Sequence, residues 1–94
     1  MRIFTTENNK DIENIFNGHG LSLDDCKNLQ FVCDTYSTSR SWGHKGKVLR
    51  NGFDTGITHR IRYYNRTWES YEYESLLHNL IGKYIKQYKG VHHE

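Results

Sequence analysis

The chain has 94 residues, a formal net charge of +2, 35% hydrophobic residues and 14% aromatic ones. That size fits one domain, 1–94, able to bury a modest core but with little room for a deep, enclosed active site. No run approaches the roughly 18 consecutive apolar residues that cross a bilayer, so no membrane partner is expected. The start, MRIFTTENNK, turns polar after four residues and does not read as a signal peptide. Two cysteines, Cys26 and Cys33, are too few for a disulfide framework and read as reduced thiols of a cytosolic protein.

The small net charge hides a strong division. Residues 1–34 hold three bases against six acids, residues 35–66 seven bases against one acid, and residues 67–94 three bases against four acids. Positive charge concentrated in the middle third points to an anionic partner more than the total does.

In chain order, Met1 to Thr5 reads as a small edge strand or a tail. Thr6 is a candidate N-cap with Glu7 in the first turn, and Ile12, Ile15 and Phe16 follow at helical spacing. The expected helix runs from about Glu7 to Asn17, with Gly18 closing it. Ser22 and Asp25 have capping-box spacing and open a short helix from about Leu23 to Asn28. Leu29 to Ser39 is strand-like, with Leu29, Phe31, Cys33 and Thr35 on one face. Ser37 to Gly46 is a loop by composition, and Lys47 to Arg50 a second strand. Asn51-Gly52 is a strong hairpin turn signal, which Phe53 to Gly56 extends. A third strand runs from Ile57 to Arg66. A long helix follows, capped by Asn65 or Thr67 and closed by Gly90, with residues 91–94 a frayed tail. Its stripe comprises Tyr73, Leu77, Leu80, Ile81, Tyr84 and Tyr88, widened by Leu76 and Ile85. The predicted fold is α+β, a three-stranded antiparallel sheet with two main helices on one face, in αβββα order.

The stretch from Ile57 to Tyr73 carries the clearest functional signal. Strand parity puts Ile57, His59, Ile61 and Tyr63 on one face and Arg60, Arg62, Tyr64 and Arg66 on the other. The first set suits a core, which leaves a row of three arginines and one tyrosine for a partner. Arg40, Lys45, Lys47 and Arg50 add charge from the adjoining hairpin. Trp68 and Tyr71, about one helical turn apart, offer a joint aromatic surface suited to base stacking or to a protein contact.

Catalytic and metal motifs are weaker. His19, His44, His59 and His78 are scattered, His92 and His93 lie in the tail, and neither HExxH nor CxxC occurs, so no metal or other cofactor is expected. Gly43-His44-Lys45-Gly46 lacks the GK[ST] ending of a phosphate loop. A Cys33–His59 nucleophile pair has no third group to orient it. An enzyme is therefore not expected.

The run Tyr63-Tyr64-Asn65-Arg66-Thr67-Trp68-Glu69-Ser70-Tyr71, with Ser41-Trp42-Gly43-His44-Lys45 upstream, resembles small accessory proteins encoded by bacteriophages and prophages. The resemblance covers about Ser37 to Ile85. It implies a small protein made in the bacterial cytoplasm by an invading element, a group that includes non-enzymatic, anti-CRISPR-like inhibitors of host defence. The αβββα order is also similar to the double-stranded RNA-binding domain, whose last helix starts on a basic cluster; here the stretch from Trp68 to Glu74 is acidic.

The leading expectation is thus a phage-type inhibitor that binds a bacterial host protein or ribonucleoprotein complex and blocks its handling of nucleic acid. The alternative is a nucleic-acid-binding module that uses the basic strand face directly.

Overall fold

The structure, a computed structural model, describes residues 1–63 and 72–91. The elements are β1 (Arg2–Phe4), α1 (Lys10–Gly18), a 3₁₀ turn (Leu23–Asp25), β2 (Leu29–Ser37), β3 (Trp42–Arg50), β4 (Phe53–Tyr63) and α2 (Glu72–Val91). The α+β architecture is as expected, but the antiparallel sheet has four strands in the order β1-β2-β3-β4, rather than three. The added strand is the N-terminal segment. Arg2, Ile3 and Phe4 pair with Cys33, Val32 and Phe31, and the pairing buries Phe4. No described helix is long and apolar enough to cross a membrane.

One core lies between the sheet and the helices. Strand residues Phe4, Leu29, Phe31, Cys33, Val48 and Ile57 meet Ile12 and Phe16 of α1 and Leu76, Leu77, Leu80, Ile81, Tyr84 and Ile85 of α2. The α2 stripe therefore packs as its spacing requires. The helix continues through Gly90 to Val91 instead of stopping there. Tyr88, at its C-terminal end, donates to Asp25 Oδ1 at 2.7 Å, while Asp25 Oδ2 accepts from the Ser22 N–H at 2.7 Å. One carboxylate thus closes the 3₁₀ turn and pins α2 to it.

α1 starts later than the sequence suggests. Asn9 caps it, its side chain accepting from the Asp11 N–H at 2.9 Å, while Thr5 and Asn8 close the preceding turn. Thr6 and Asn9 both carry a capping oxygen. The later one prevails because Asn8 is tied back to Ile3 O and Thr5 N–H, which holds residues 5–8 in a turn after β1.

The larger correction is β3. Its first half was expected as a loop, yet strand pairing runs from Ser37↔Trp42 to Leu29↔Arg50 without a break. The glycines that suggest a loop are there for close approach. A Cβ on Gly46 would stand 2.7 Å from Leu80 Cδ1 and 2.9 Å from Val32 O, so glycine lets α2 settle on the sheet. The loop between β2 and β3 shrinks to residues 38–41. Asn51-Gly52 forms the expected tight turn, both residues at positive φ (52° and 83°). Residues 53–56, expected as part of that turn, belong to β4, which bulges opposite Lys47 and Leu49 near Gly56 (φ 82°).

Candidate nucleic-acid interface

Both helices lie against one face of the sheet, and no described element covers the other. Alternation along the strands decides which residues reach that open face. On β2 they are Gln30, Val32, Asp34 and Tyr36; on β3, Gly43, Lys45, Lys47 and Leu49; on β4, Thr58, Arg60 and Arg62. Four of these are exposed cations. Lys45 sits directly opposite Arg60, Lys47 opposite Thr58, and Arg62 opposite Gly43. The cations therefore occupy three successive levels, about 6.6–6.8 Å apart for each two-residue step. Two carboxylates share the face: Asp34, which is partly neutralised by the N-terminal amine at 3.6 Å, and the exposed Asp54, which pairs with Leu49 one level beyond Lys47.

The open face is not flat. Its middle holds a concavity of about 720 Å³, bordered among others by Val32, Asp34, Lys45, Lys47, Thr58 and Arg60. A second, of about 600 Å³, lies toward residues 38–41 and is bordered by Tyr36, Thr38, Arg40, Ser41, Arg60 and Arg62. Arg60 borders both, and the two adjoin there as a trough whose first part reaches across the sheet from Met1 to Lys83 of α2. The Arg60 guanidinium lies 5.1 Å from the centre of the Tyr36 ring, a cation–π arrangement. The ring in turn rests on Gly43, where a Cβ would come within 2.8 Å of Tyr36 Oη. Glycine at position 43 is what lets an aromatic ring lie across the sheet here.

The sequence-derived candidates divide. Arg60, Arg62, Lys45 and Lys47 share the open face, and Arg40 stands exposed beside its end. Arg50 does not join them. It is in phase with Val48, on the helix side, where it donates to Tyr84 Oη at 3.1 Å and covers the Tyr88 ring at 5.5 Å. Burial pushes the Tyr84 phenol above its ordinary pKa, and Arg50 pulls the other way. Arg50 belongs to the fold's own support. Tyr64, Arg66, Trp68 and Tyr71 lie outside the described residues, as do the expected caps Asn65 and Thr67 and the tail residues 92–94. Tyr36, which the sequence reading assigned no binding role, is the aromatic residue of the described open face. Its parity with Val32 and Asp34, opposite to Phe31 and Cys33, was the signal.

The remaining chemistry is elsewhere. Cys26 and Cys33 are free and buried, and burial raises both thiols to about 11, leaving little thiolate near neutrality. Cys33, Gly46 and His59 lie in one register row, so β3 separates the cysteine from the histidine by two strand spacings, about 9.4–9.8 Å. They cannot act as a nucleophile pair. His44, with a pKa lowered by burial, is packed edge-on against Tyr73 at 4.4 Å and near Trp42 at 5.6 Å. Asp11, Glu74 and His78 bring ligand-type atoms within 4.8 Å of one another, all on exposed side chains. No protein-family model, curated protein or solved structure matches the chain.

Proposed function

We propose that this protein is a non-enzymatic binding module that holds a nucleic-acid strand against its open sheet face. The observation that carries the reading is the trough: four exposed cations at three register levels, with Asp34 among them and Asp54 at the next level, on a face that no described element covers. A polyanion whose charges recur at regular intervals suits such a row, because each neutralised phosphate releases a counterion. Tyr36 and the apolar floor at Val32 offer a place for a base or sugar between the charges.

The test is fluorescence anisotropy with labelled single-stranded and duplex oligonucleotides across a salt series. Affinity should fall steeply with salt. Lys47→Ala and Arg62→Ala should each flatten the log–log slope by roughly 0.7–0.9, and Arg50→Ala should leave it unchanged. A triple variant lacking Lys47, Arg60 and Arg62 that binds at full affinity would remove the trough from the site.

The resemblance of the YYNRTWESY run supports a second reading, an anti-CRISPR-like inhibitor acting in the cytoplasm of a bacterial host. There the same cations meet an acidic surface of a defence protein or ribonucleoprotein complex. One or two arginines would then act as hot spots costing about 2 kcal/mol or more, with a shallow salt response. A pull-down from bacterial lysate separates the two readings. A partner retained after nuclease treatment supports the inhibitor, and loss of every partner supports nucleic-acid binding.

A further inference from the structure

The middle concavity of the open face is uneven in charge. Toward β1 and β2 it is bordered by Met1, Val32 and Asp34, and the Met1 amine is taken up by the Asp34 carboxylate at 3.6 Å. The cation of β1, Arg2, has the parity of Phe4 on the helix side, where its guanidinium lies over the Phe4 ring at 4.9 Å. Along the strands, the level past Lys47 holds Asp54. Toward the β4 edge the concavity takes in Lys45, Lys47 and Thr58 and ends at Lys83 of α2. Of these three ways out of the middle, the one toward α2 keeps a single sign of charge.

β4 is the last strand of the sheet, and Thr58 lies on it directly opposite Lys47. Lys83 Nζ donates to the Thr58 carbonyl oxygen at 3.0 Å. That bond fixes an exposed ammonium on the rim of the sheet, and because its acceptor is neutral the positive charge is not cancelled. A further concavity, of about 520 Å³, starts at the same two residues, Thr58 and Lys83, and reaches Lys86 one turn along α2. No carboxylate is among its described lining residues. Asp54 is the acid nearest in the chain, and one of its oxygens accepts from the Gly56 N–H at 2.8 Å. Lys86 is exposed, with no hydrogen bond or ion pair to a described residue. A lysine on a sheet edge also keeps the strand from pairing with other chains. That role accounts for Lys83 and asks nothing of Lys86.

We propose that a single nucleic-acid strand held on the open face crosses the β4 edge at Thr58 and continues over α2, where Lys83 and Lys86 neutralise its further phosphates. The inference rests on the nucleic-acid reading above and extends the contact surface to the helix layer. Lys47 on β3, Lys83 at the edge and Lys86 one turn on follow each other through two adjoining concavities. Lysine suits such a track, because a point charge on a flexible stem needs no paired geometry and can follow a flexible chain. The contacts fall on phosphates, so they position the strand without reading its sequence. The path also names the form of the ligand. Passing from one face of a sheet around its edge demands a sharp turn, which a single strand can make and a stiff duplex resists.

The experiment follows the anisotropy of one labelled single strand of mixed sequence, and of its duplex, across a salt series with lysine variants. For the single strand, Lys83→Ala and Lys86→Ala should each flatten the log–log slope by roughly 0.7. Lys10→Ala, which removes an equal exposed charge from α1, should leave it unchanged. Lys83→Arg keeps both charge and donor and should hold the parent slope, whereas Lys83→Met, uncharged and of similar length, should not. Duplex binding should be indifferent to Lys86→Ala. NMR of the lysine side-chain methylene signals reads the same contact on the unmutated protein. The single strand should shift Lys45, Lys47, Lys83 and Lys86 and leave Lys10 still. If Lys47→Ala flattens the slope and the α2 variants do not, the crossing is overturned and the open-face reading stands. A response at Lys83 without one at Lys86 ends the contact at the edge and overturns the path over α2. An equal response of the duplex to Lys86→Ala overturns the turn around the edge. If the α2 lysines respond and Lys47 does not, the crossing and the open-face track fall together, as they do if neither nucleic acid binds.

Discussion

The two faces of the sheet are built from the same three long strands, alternating residue by residue, yet they answer to different demands. On the helix side, Phe31, Cys33, Val48 and Leu80 are all under 2% exposed, and even the arginine of that phase, Arg50, is tied to two tyrosines. On the open side, Lys45, Lys47, Arg60 and Arg62 are exposed at successive levels, Arg60 against the Tyr36 ring, with the half-exposed Asp34 among them. The lesson lies in how charge is used. A fold seeking only solubility would intersperse both signs on its bare face. This one concentrates a single sign, although like charges opposite each other on neighbouring strands oppose pairing. The open face therefore carries its charge without the burial and aromatic ties that hold Arg50 on the helix side.

The sharpest way to break this contrast is to attack the closed face. Leu80 is fully buried and meets Gly46 directly, so Leu80→Ala should cost roughly 2–5 kcal/mol by lost burial plus the cavity left behind. Chemical denaturation reads it, and an unchanged midpoint would sink the two-layer arrangement. Next in size is Gly46→Ala. The new methyl meets both Leu80 and the Val32 carbonyl oxygen at less than 3 Å, and overpacking of this kind costs about 1–3 kcal/mol. A gain in stability, as expected if position 46 were a loop glycine, would contradict the close approach.

That second substitution also shows where the sequence was legible and where it was not. The α2 stripe and the Asn51-Gly52 turn were readable because each is a local pattern, a 3.6-residue period in one case and a turn conformation in the other. Trp42, His44, Gly46 and Val48 alternate just as plainly as Ile57, His59 and Ile61. Two glycines and three serines within Ser37 to Gly46 looked like loop composition, and the reason for Gly46, a leucine on a helix 34 residues away, is not local. β1 was ambiguous for the same reason, since three residues become a strand only when β2 is there to pair with them. At the candidate site, parity put Arg60 and Arg62 on the same side. Grouping by charge alone added Arg50, although its own parity with Val48 assigned it to the helices.

Arg50 supplies the next measurement. Arg50→Ala removes a hydrogen bond to Tyr84 and the cover on Tyr88, for a loss of about 1 kcal/mol with no effect on ligand affinity. Lys47→Ala should show the reverse pattern. If Arg50→Ala weakens binding and leaves the melt alone, the division between faces is drawn in the wrong place.

A smaller effect is expected from pH. His44 and His59 both lie on the helix side, and burial lowers both pKa values, with Lys83 adding to the effect at His59. Since the folded-state values lie below the ordinary value of about 6.5, the unfolded chain takes up protons first as pH falls. Stability should therefore be constant above about pH 7 and decline as pH drops through 6.5 toward the lowered values. Replacing His44 with Phe should remove part of that decline. A protein that grows more stable between pH 7 and 6 would show that these imidazoles gain partners on folding rather than lose water.

The smallest expected effect concerns Lys45, and it bears directly on whether the open face serves the fold. Lys45 faces Arg60 across one strand pair and Asp34 across the other. The repulsion and the attraction act over similar separations, both in water, and they largely cancel. Lys45→Thr keeps a residue that strands favour and removes both terms. Its stability should stay within about 0.5 kcal/mol of the parent, as for other exposed substitutions. Salt decides the sign. At low ionic strength both pair terms are at full strength, and the amine at Met1 already draws on Asp34, so the repulsion from Arg60 is the larger remainder and the variant should be marginally the more stable. At high salt the difference should vanish. Thermal melts over a salt series read this directly. A loss well above 1 kcal/mol would make Lys45 a support of the sheet, and its charge would then need no partner to explain it. A variant that is neutral or slightly the more stable would show that the fold does not account for the charge at Lys45, as the proposed binding face requires.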